Sequence, residues 1–179
     1  MPDAPIFVDL QGFIVNDKFT VKEVAVLRNN GRDLIHYIFH APMSWDLLTK
    51  AEKSRACWLT ANHHSFRWDD GCVDYALART LIRNAVRDGS KNELGIRAYV
   101  KGSEKKKWLA EIIGDAENVA LSTIDADYED IGRLQILSTA RTLRCGRHER
   151  NCAMENVLKL YNWWCERCDR LEDIQSTDI

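Results

Sequence analysis

The chain has 179 residues, of which 45% are hydrophobic and 29% are charged, with a formal net charge of −2 at pH 7. This composition is typical of one globular domain, and the near-neutral charge excludes a general attraction for nucleic acid. No apolar run approaches the ~20 residues of a membrane-spanning helix, and no secretory signal stands at the N-terminus. We expect a single domain over residues 1–179, with its core at 5–171, a frayed tail at 172–179 and no membrane association.

The apolar runs and turn signals in the first 40 residues predict three antiparallel strands. Residues 5–13 are apolar on both sides of Asp9, as in a strand that is buried on two faces. A β-rich segment at 19–28 follows a turn, and an Asn-Asn-Gly hairpin signal at 29–31 precedes a third strand at 33–40.

Helices and strands alternate over the remainder. Apolar spacing predicts a helix at 45–62, capped by Ser44, with Leu47 and Trp58 on its buried face. Further along we predict a helix at 73–86, a loop at 87–92, a strand at 95–101, a helix at 104–113, a strand at 118–124, an acidic loop at 125–136 and a helix at 153–171. This order predicts an α/β (α+β) fold with a five-stranded mixed sheet flanked by helices.

Six cysteines without a secretory signal indicate an intracellular protein whose thiols are free or bound to metal. We expect Cys57 and Cys72 to be packing residues, because free cysteines are commonly buried. Cys165 and Cys168 form a C-x2-C pair inside a predicted helix, which favours packing but leaves metal binding open.

The segment Cys145-Gly-Arg-His148-Glu-Arg-Asn-Cys152 directly precedes the last predicted helix. Two thiolates and one imidazole at this spacing can hold three corners of a tetrahedral zinc site. The fourth ligand must come from another part of the chain. The alternative is that these are three unrelated loop and core residues.

One basic cluster, KGSEKKK at 101–107, follows the carboxyl end of a predicted strand, where open α/β sheets bind ligands. A solvated helix face is the ordinary role of such a run, whereas its position at a helix N-terminus also suits phosphate. An RNA contact here would use Arg97, Lys101, Lys105, Lys106, Lys107 and Arg147. Trp163 and Trp164 are adjacent, and we expect Trp163 to be exposed and able to mark a protein-binding surface.

A polar stretch at 63–71 places His63 and His64 close to Asp69 and Asp70. These residue types also occur in metal and acid–base centres. We interpret the stretch as a connection between helices, with structural or surface roles.

Three segments resemble the DEDDh exonucleases, a ribonuclease H-like family. Residues 6–11 (IFVDLQ) resemble the first strand, with its apolar-apolar-Asp-x-Glu pattern, 22–26 (KEVAV) the second strand, and 36–42 the third strand ending in Pro. The resemblance implies a ribonuclease H-like fold. In active members, four carboxylates hold two divalent cations that cleave the phosphodiester bond.

The chain departs from that family at the positions that carry the chemistry. Gln11 stands where the second acid would be, lysines at 105–107 stand where an Asp is required, and His148-x3-Cys152 replaces a His-x4-Asp motif. At most one of four acids remains. The departures imply that two-metal nuclease chemistry is lost. We interpret Asp9 as a hydrogen-bonded relic of the fold, with a single-cation site as the alternative.

At these same positions the chain resembles the Maelstrom domain, an exonuclease-fold family of small-RNA silencing with a Glu-Cys-His-Cys zinc site. By position, the resemblance implies a structural Zn²⁺ held by Glu23, Cys145, His148 and Cys152. Such a set leaves no open position for water. Another Asp or His, or Cys165 or Cys168, is the alternative for the fourth ligand.

The resemblance implies an inactive module that binds single-stranded RNA, a protein partner of a silencing complex, or both, in cytoplasmic granules or the nucleus. One alternative is an enzyme, a metal-dependent single-strand ribonuclease with an unusual active site. The other is a protein scaffold without affinity for nucleic acid, forming a homodimer through the helix that carries Trp163.

Overall fold

A computed structural model describes residues 4–88 and 95–177. Its strands are β1 (Ile6–Val15), β2 (Lys18–Arg28), β3 (Asp33–Ile38), β4 (Ile96–Val100) and β5 (Val119–Thr123). They form one sheet in the order β3-β2-β1-β4-β5. Strand β2 runs antiparallel to both of its neighbours, whereas β1, β4 and β5 are parallel. The predicted five-stranded mixed sheet is confirmed.

Helices cover both faces of this sheet. They are α1 (Lys50–Leu59), α2 (Ala78–Arg87), α3 (Ser103–Ile113), α4 (Ile124–Asp127) and α5 (Ala153–Ser176). Short 3₁₀ segments lie at Trp45–Leu47, Tyr75–Leu77 and Leu134–Ile136, and a π-helical turn follows α1 at Thr60–His64. Within residues 4–88 and 95–177, every helix is too short or too polar to cross a lipid bilayer.

Strand alternation divides the core into two layers. Successive side chains of β1 point to opposite faces, so Ile6 and Val8 join the cluster beneath α2 and α3, whereas Phe7 joins the cluster beneath α5. Burial of one such side chain stabilises the fold by about 1.5–3 kcal/mol. The same alternation places Asp9 and Gln11, with Phe7, on the face that α5 covers.

A β-bulge lies at the centre of the β1–β2 pair. Gln11 pairs with Glu23 but Gly12 pairs with Val21, so Lys22 is an extra residue on β2. A Cβ atom at position 12 would lie 2.0 Å from the Thr20 carbonyl oxygen, which explains the glycine. The bulge leaves Glu23 beside Gln11, on the α5 face.

The predicted helix at 45–62 is wrong in its start and in its buried face. Helix α1 begins at Lys50, because Thr49 forms a capping box with Glu52, and Ser44 caps only the preceding 3₁₀ segment. Leu47 and Trp58 are 72% and 60% exposed. This part of the core is instead filled from the following loop, by Phe66 and Trp68.

Other expectations also need correction. Cys57 and Cys72 are exposed, not packed, because they lie on the outer side of α1 and in the loop before α2. Trp163 is half-buried rather than exposed, because its ring packs edge-on against Tyr128, 5.8 Å away.

Two predicted boundaries moved, and two expectations lie partly outside the described residues. Helix α2 begins at Ala78 rather than at residue 73, and α5 continues to Ser176, five residues past its predicted end and into the expected tail. Residues 178–179 of that tail, and residues 89–92 of the expected loop at 87–92, lie outside the described residues.

Candidate metal centre

Glu23 is a fully buried carboxylate at the centre of the sheet. Its Oε1 atom accepts hydrogen bonds from Gln11 Nε2 and from the Ala153 backbone N–H, the latter at 2.8 Å. Ala153 is the first residue of α5, and the positive end of a helix dipole stabilises a carboxylate there. Because Oε1 is held in this way, Oε2 is the oxygen that faces the remaining partners.

The loop before α5 brings His148 and Cys145 to Oε2, and Cys152 next to Cys145. The His148 Nε2 atom lies 2.8 Å from it and the Cys145 Sγ atom 3.7 Å from it. The Cys145 N–H donates to the Cys152 Sγ at 3.3 Å, and the Arg147 N–H donates to the Cys145 Sγ at 3.5 Å. A donated N–H stabilises the thiolate, which is the form that binds metal, although at Cys145 burial outweighs this effect.

The orientation of His148 is determined by two backbone carbonyls. Its Nδ1 atom lies 2.8 Å from the His64 oxygen and 2.9 Å from the Arg150 oxygen. Both are acceptors, so Nδ1 carries a proton and Nε2 is left to face Glu23. A ring nitrogen that donates to a carbonyl behind it is the usual support of a metal-ligating histidine.

The four donors fit one ion. Glu23, Cys145, His148 and Cys152 each offer a ligand atom, and these atoms lie within 4.8 Å of one another. Tetrahedral zinc with bonds of about 2.0–2.3 Å places its ligands about 3.3–3.8 Å apart. Side-chain adjustments of about an ångström therefore suffice, and two sulfurs with one nitrogen exclude a preference for magnesium or calcium.

Electrostatics at this cluster favours an anionic Glu23. Burial alone would raise the pKa of Glu23, but hydrogen bonds from His148 and His36 lower that pKa from 4.5 to about 2. Burial likewise would lower the pKa of His148, but its bonds with Cys152 and Glu23 raise that pKa to about 10. The metal-free cluster therefore holds a proton on His148 that an incoming cation displaces.

The two cysteines of the cluster differ in the direction in which their thiol pKa is shifted. Burial raises the pKa of Cys145 to about 12. For Cys152, burial acts to raise the thiol pKa, but the hydrogen bond with His148 and those from the Cys145 and Glu155 backbone together lower it. Cys152 is thus the thiol that ionises first.

Cys165 and Cys168, the alternatives for the fourth ligand, lie elsewhere. Both pack against the hydrophobic cluster beneath α5, with Val157 and Leu160. Neither belongs to the group of four donors.

The sequence prediction missed several residues that support the cluster. His36 on β3 hydrogen bonds Glu23, and Gln11 joins Glu23 to the backbone oxygen of Asn151. The stretch at 63–71, expected to be a plain connection, contributes the His64 carbonyl and is tied to the loop by a bond from Asn151 to the His63 oxygen. Strand alternation gave a signal for His36, since it pairs with Ala25 and shares the face of Glu23.

Asp9, two residues before Gln11, is also fully buried but has different partners. Its Oδ1 pairs with the Lys105 ammonium, and its Oδ2 accepts a hydrogen bond from Asn156 at 2.8 Å. A lysine of the chain itself thus neutralises this carboxylate.

The six basic residues predicted to contact RNA fall into two groups. Lys105 is paired with Asp9, and Lys101 lies 3.8 Å from Asp125. The exposed group consists of Arg97, Lys106, Lys107 and Arg147. Contact with RNA stays a prediction for all six.

No protein-family model matches the chain, and no curated protein matches it.

Proposed function

We propose that this chain is a catalytically inactive module of the DEDDh exonuclease fold, similar to the Maelstrom domain, that holds a structural zinc ion and binds single-stranded RNA in small-RNA silencing. The observation that carries the proposal is the convergence of Glu23, Cys145, His148 and Cys152 within 4.8 Å.

The sheet supports the ribonuclease H-like assignment. A meander of three strands is followed by two parallel strands on the other side of β1, which gives the order β3-β2-β1-β4-β5 with β2 alone reversed. The connection from β4 to β5 is helical, as parallel pairing requires.

The surroundings of Asp9 support the absence of two-metal chemistry. Hard divalent cations need several anionic oxygens. The groups that hydrogen bond to Asp9 are the ammonium of Lys105 and the neutral amide of Asn156. A cation at this carboxylate would have to displace a bound lysine.

Metal analysis of protein purified without chelators tests the zinc part of the proposal. We expect about one zinc per chain and tetrahedral sulfur, nitrogen and oxygen coordination by X-ray absorption. A chain that binds no zinc when refolded with the metal would overturn it.

Titration of labelled single-stranded RNA across a salt series tests the binding part. We expect affinity to fall steeply as salt rises, because phosphate contacts release counterions, and the RNA to stay intact with magnesium or manganese. Cleavage that Asp9→Asn abolishes would favour the ribonuclease, and absence of binding at low salt would favour a protein scaffold.

A further inference from the structure

His36 approaches the metal centre from outside the four-residue group. It lies on β3, the edge strand of the sheet, and its side chain is 15% exposed. Its Nε2 atom is 2.8 Å from Glu23 Oε2, the same oxygen that faces His148 and Cys145.

The β2–β3 register makes this approach a built feature of the sheet. His36 pairs with Ala25, and Glu23 pairs with Ile38, so the two side chains are diagonal neighbours on one face. Diagonal neighbours on adjacent strands lie within reach of long side chains. His36 therefore meets Glu23 without any distortion of the strands.

The two oxygens of Glu23 are supported differently. Gln11 and the Ala153 N–H hold Oε1, so the carboxylate can offer only Oε2 to a cation. A carboxylate oxygen has two lone pairs, and one of those on Oε2 receives His36 while the other is directed towards the loop donors. A hydrogen bond to a ligating carboxylate fixes its direction and preserves its negative charge.

We propose that His36 is a positioning residue of the metal centre, which donates its Nε2–H to the ligating oxygen of Glu23 and holds that carboxylate in one-oxygen coordination. This inference rests on the proposed zinc site. It differs from a fifth ligand, because a donated N–H leaves no lone pair on Nε2 for the ion.

Three full-length variants test the inference. His36→Gln keeps a donor at nearly the position of Nε2, whereas His36→Leu removes it and His36→Asn carries an amide too short to reach. His40→Leu is the matched control, because His40 is an exposed histidine just past the end of the same strand. Zinc affinity is measured by competition with a chelator, and coordination by the visible spectrum of the cobalt(II) form.

We expect His36→Leu and His36→Asn to bind zinc about 10- to 100-fold more weakly, the usual effect of losing such a partner, and to shift the cobalt bands. His36→Gln restores most of the lost affinity and the wild-type spectrum. His40→Leu matches the wild type. If His36→Leu does not fold, the comparison of His36→Asn with His36→Gln serves the same purpose.

Two results would overturn the inference while zinc binding itself stands. One is wild-type affinity and an unchanged cobalt spectrum in His36→Leu and His36→Asn. The other is a His36→Gln variant as weak as His36→Leu whose X-ray absorption loses an imidazole, which would make His36 a ligand. A wild-type chain that binds no zinc would instead overturn the proposed function and, with it, this inference.

Discussion

Two buried carboxylates lie on the same face of the sheet and are neutralised in opposite ways. Asp9 on β1 is paired with the ammonium of Lys105, a cation supplied by the chain. Glu23 on β2 accepts hydrogen bonds from neutral donors and, in the metal-free chain, faces the protonated imidazole of His148. A buried carboxylate needs a counter-charge. At Asp9 that charge is a lysine, whereas at Glu23 it is a proton that an incoming metal ion can replace. The variants below separate the two arrangements, beginning with the largest expected effect.

Cys145→Ser removes one ligand from the Glu23 site and leaves Asp9 untouched. We expect zinc to be lost and the free energy of unfolding to fall by much of the ~5–15 kcal/mol typical of a domain, since structural zinc contributes ~10–16 kcal/mol in small peptides. Urea denaturation with parallel metal analysis measures both effects. Cys57→Ser, at an exposed thiol outside the cluster, is the control. A Cys145→Ser protein with one bound zinc and an unchanged midpoint contradicts the expectation.

Lys105→Met breaks the ion pair between Asp9 and Lys105. It leaves Asp9 buried without its cation, and removing one partner of a buried ion pair costs about 3–5 kcal/mol. Asp9→Asn costs less, because the Lys105 side chain is 18% exposed and can turn to solvent. Urea denaturation of the zinc-loaded variants measures this difference, and zinc content is expected to stay at the wild-type level in both. Lys106→Met, at an exposed neighbour, is the control. If Lys105→Met and Asp9→Asn lower the free energy of unfolding equally, the expected difference between them is wrong.

The stability of the metal-free protein is expected to depend on pH through the Glu23 cluster. The pKa of Glu23 is lowered to about 2, so its contribution to stability is present above the ordinary value of 4.5 and is lost as pH falls towards 2. The raised pKa of His148 gives a contribution present below 6.5 and lost as pH rises through about 10.

The metal-free chain is therefore expected to be most stable between about pH 4.5 and 6.5. Zinc affinity should rise with pH, because bound protons compete with the metal. Urea midpoints in chelator, and zinc titrations at several pH values, measure these trends. A His148→Gln chain whose metal-free midpoint falls between pH 7 and 10 as steeply as the wild type would assign the loss to another group.

The smallest expected effect concerns RNA. Lys105 is held by Asp9, whereas Lys106 is exposed on the next position of α3. We expect Lys106→Ala to weaken RNA binding a few-fold and to reduce the salt slope by about one contact. Arg170→Ala, at an exposed residue near the far end of α5, is the control. An unchanged salt slope would remove Lys106 from the proposed contact surface.

The sheet could be predicted from sequence because its signals are local. The apolar residues on both sides of Asp9, the turn before residue 19 and the Asn-Asn-Gly turn indicate the first two strand pairings, and the described structure confirms a five-stranded mixed sheet. The boundaries around α1 could not be predicted as well, because Thr49 and Ser44 are both good caps. Trp58 was misassigned because helical spacing does not reveal that Phe66 and Trp68 fill the same space.

The candidate site was accessible from sequence only in part. The C-x2-H-x3-C spacing indicates three donors, whereas Glu23 came from a family resemblance and looks like any strand glutamate. Gln11 was interpreted only as a missing acid, although its amide supports Glu23. That role depends on the bulge between Gln11 and Gly12, and pairing register is invisible in the sequence alone.

The separation in sequence between Glu23 and the Cys145–Cys152 loop has a consequence for biosynthesis. On the ribosome, β1 and β2 are made well before the loop donors and α5. Until then the apolar face that includes Phe7 and Leu27 has no cover, and nascent chains with such faces attract chaperones and aggregate. If the chain holds the proposed zinc ion, its capture follows the synthesis of these donors, and a shortage of zinc in the cell would act on newly made chains first.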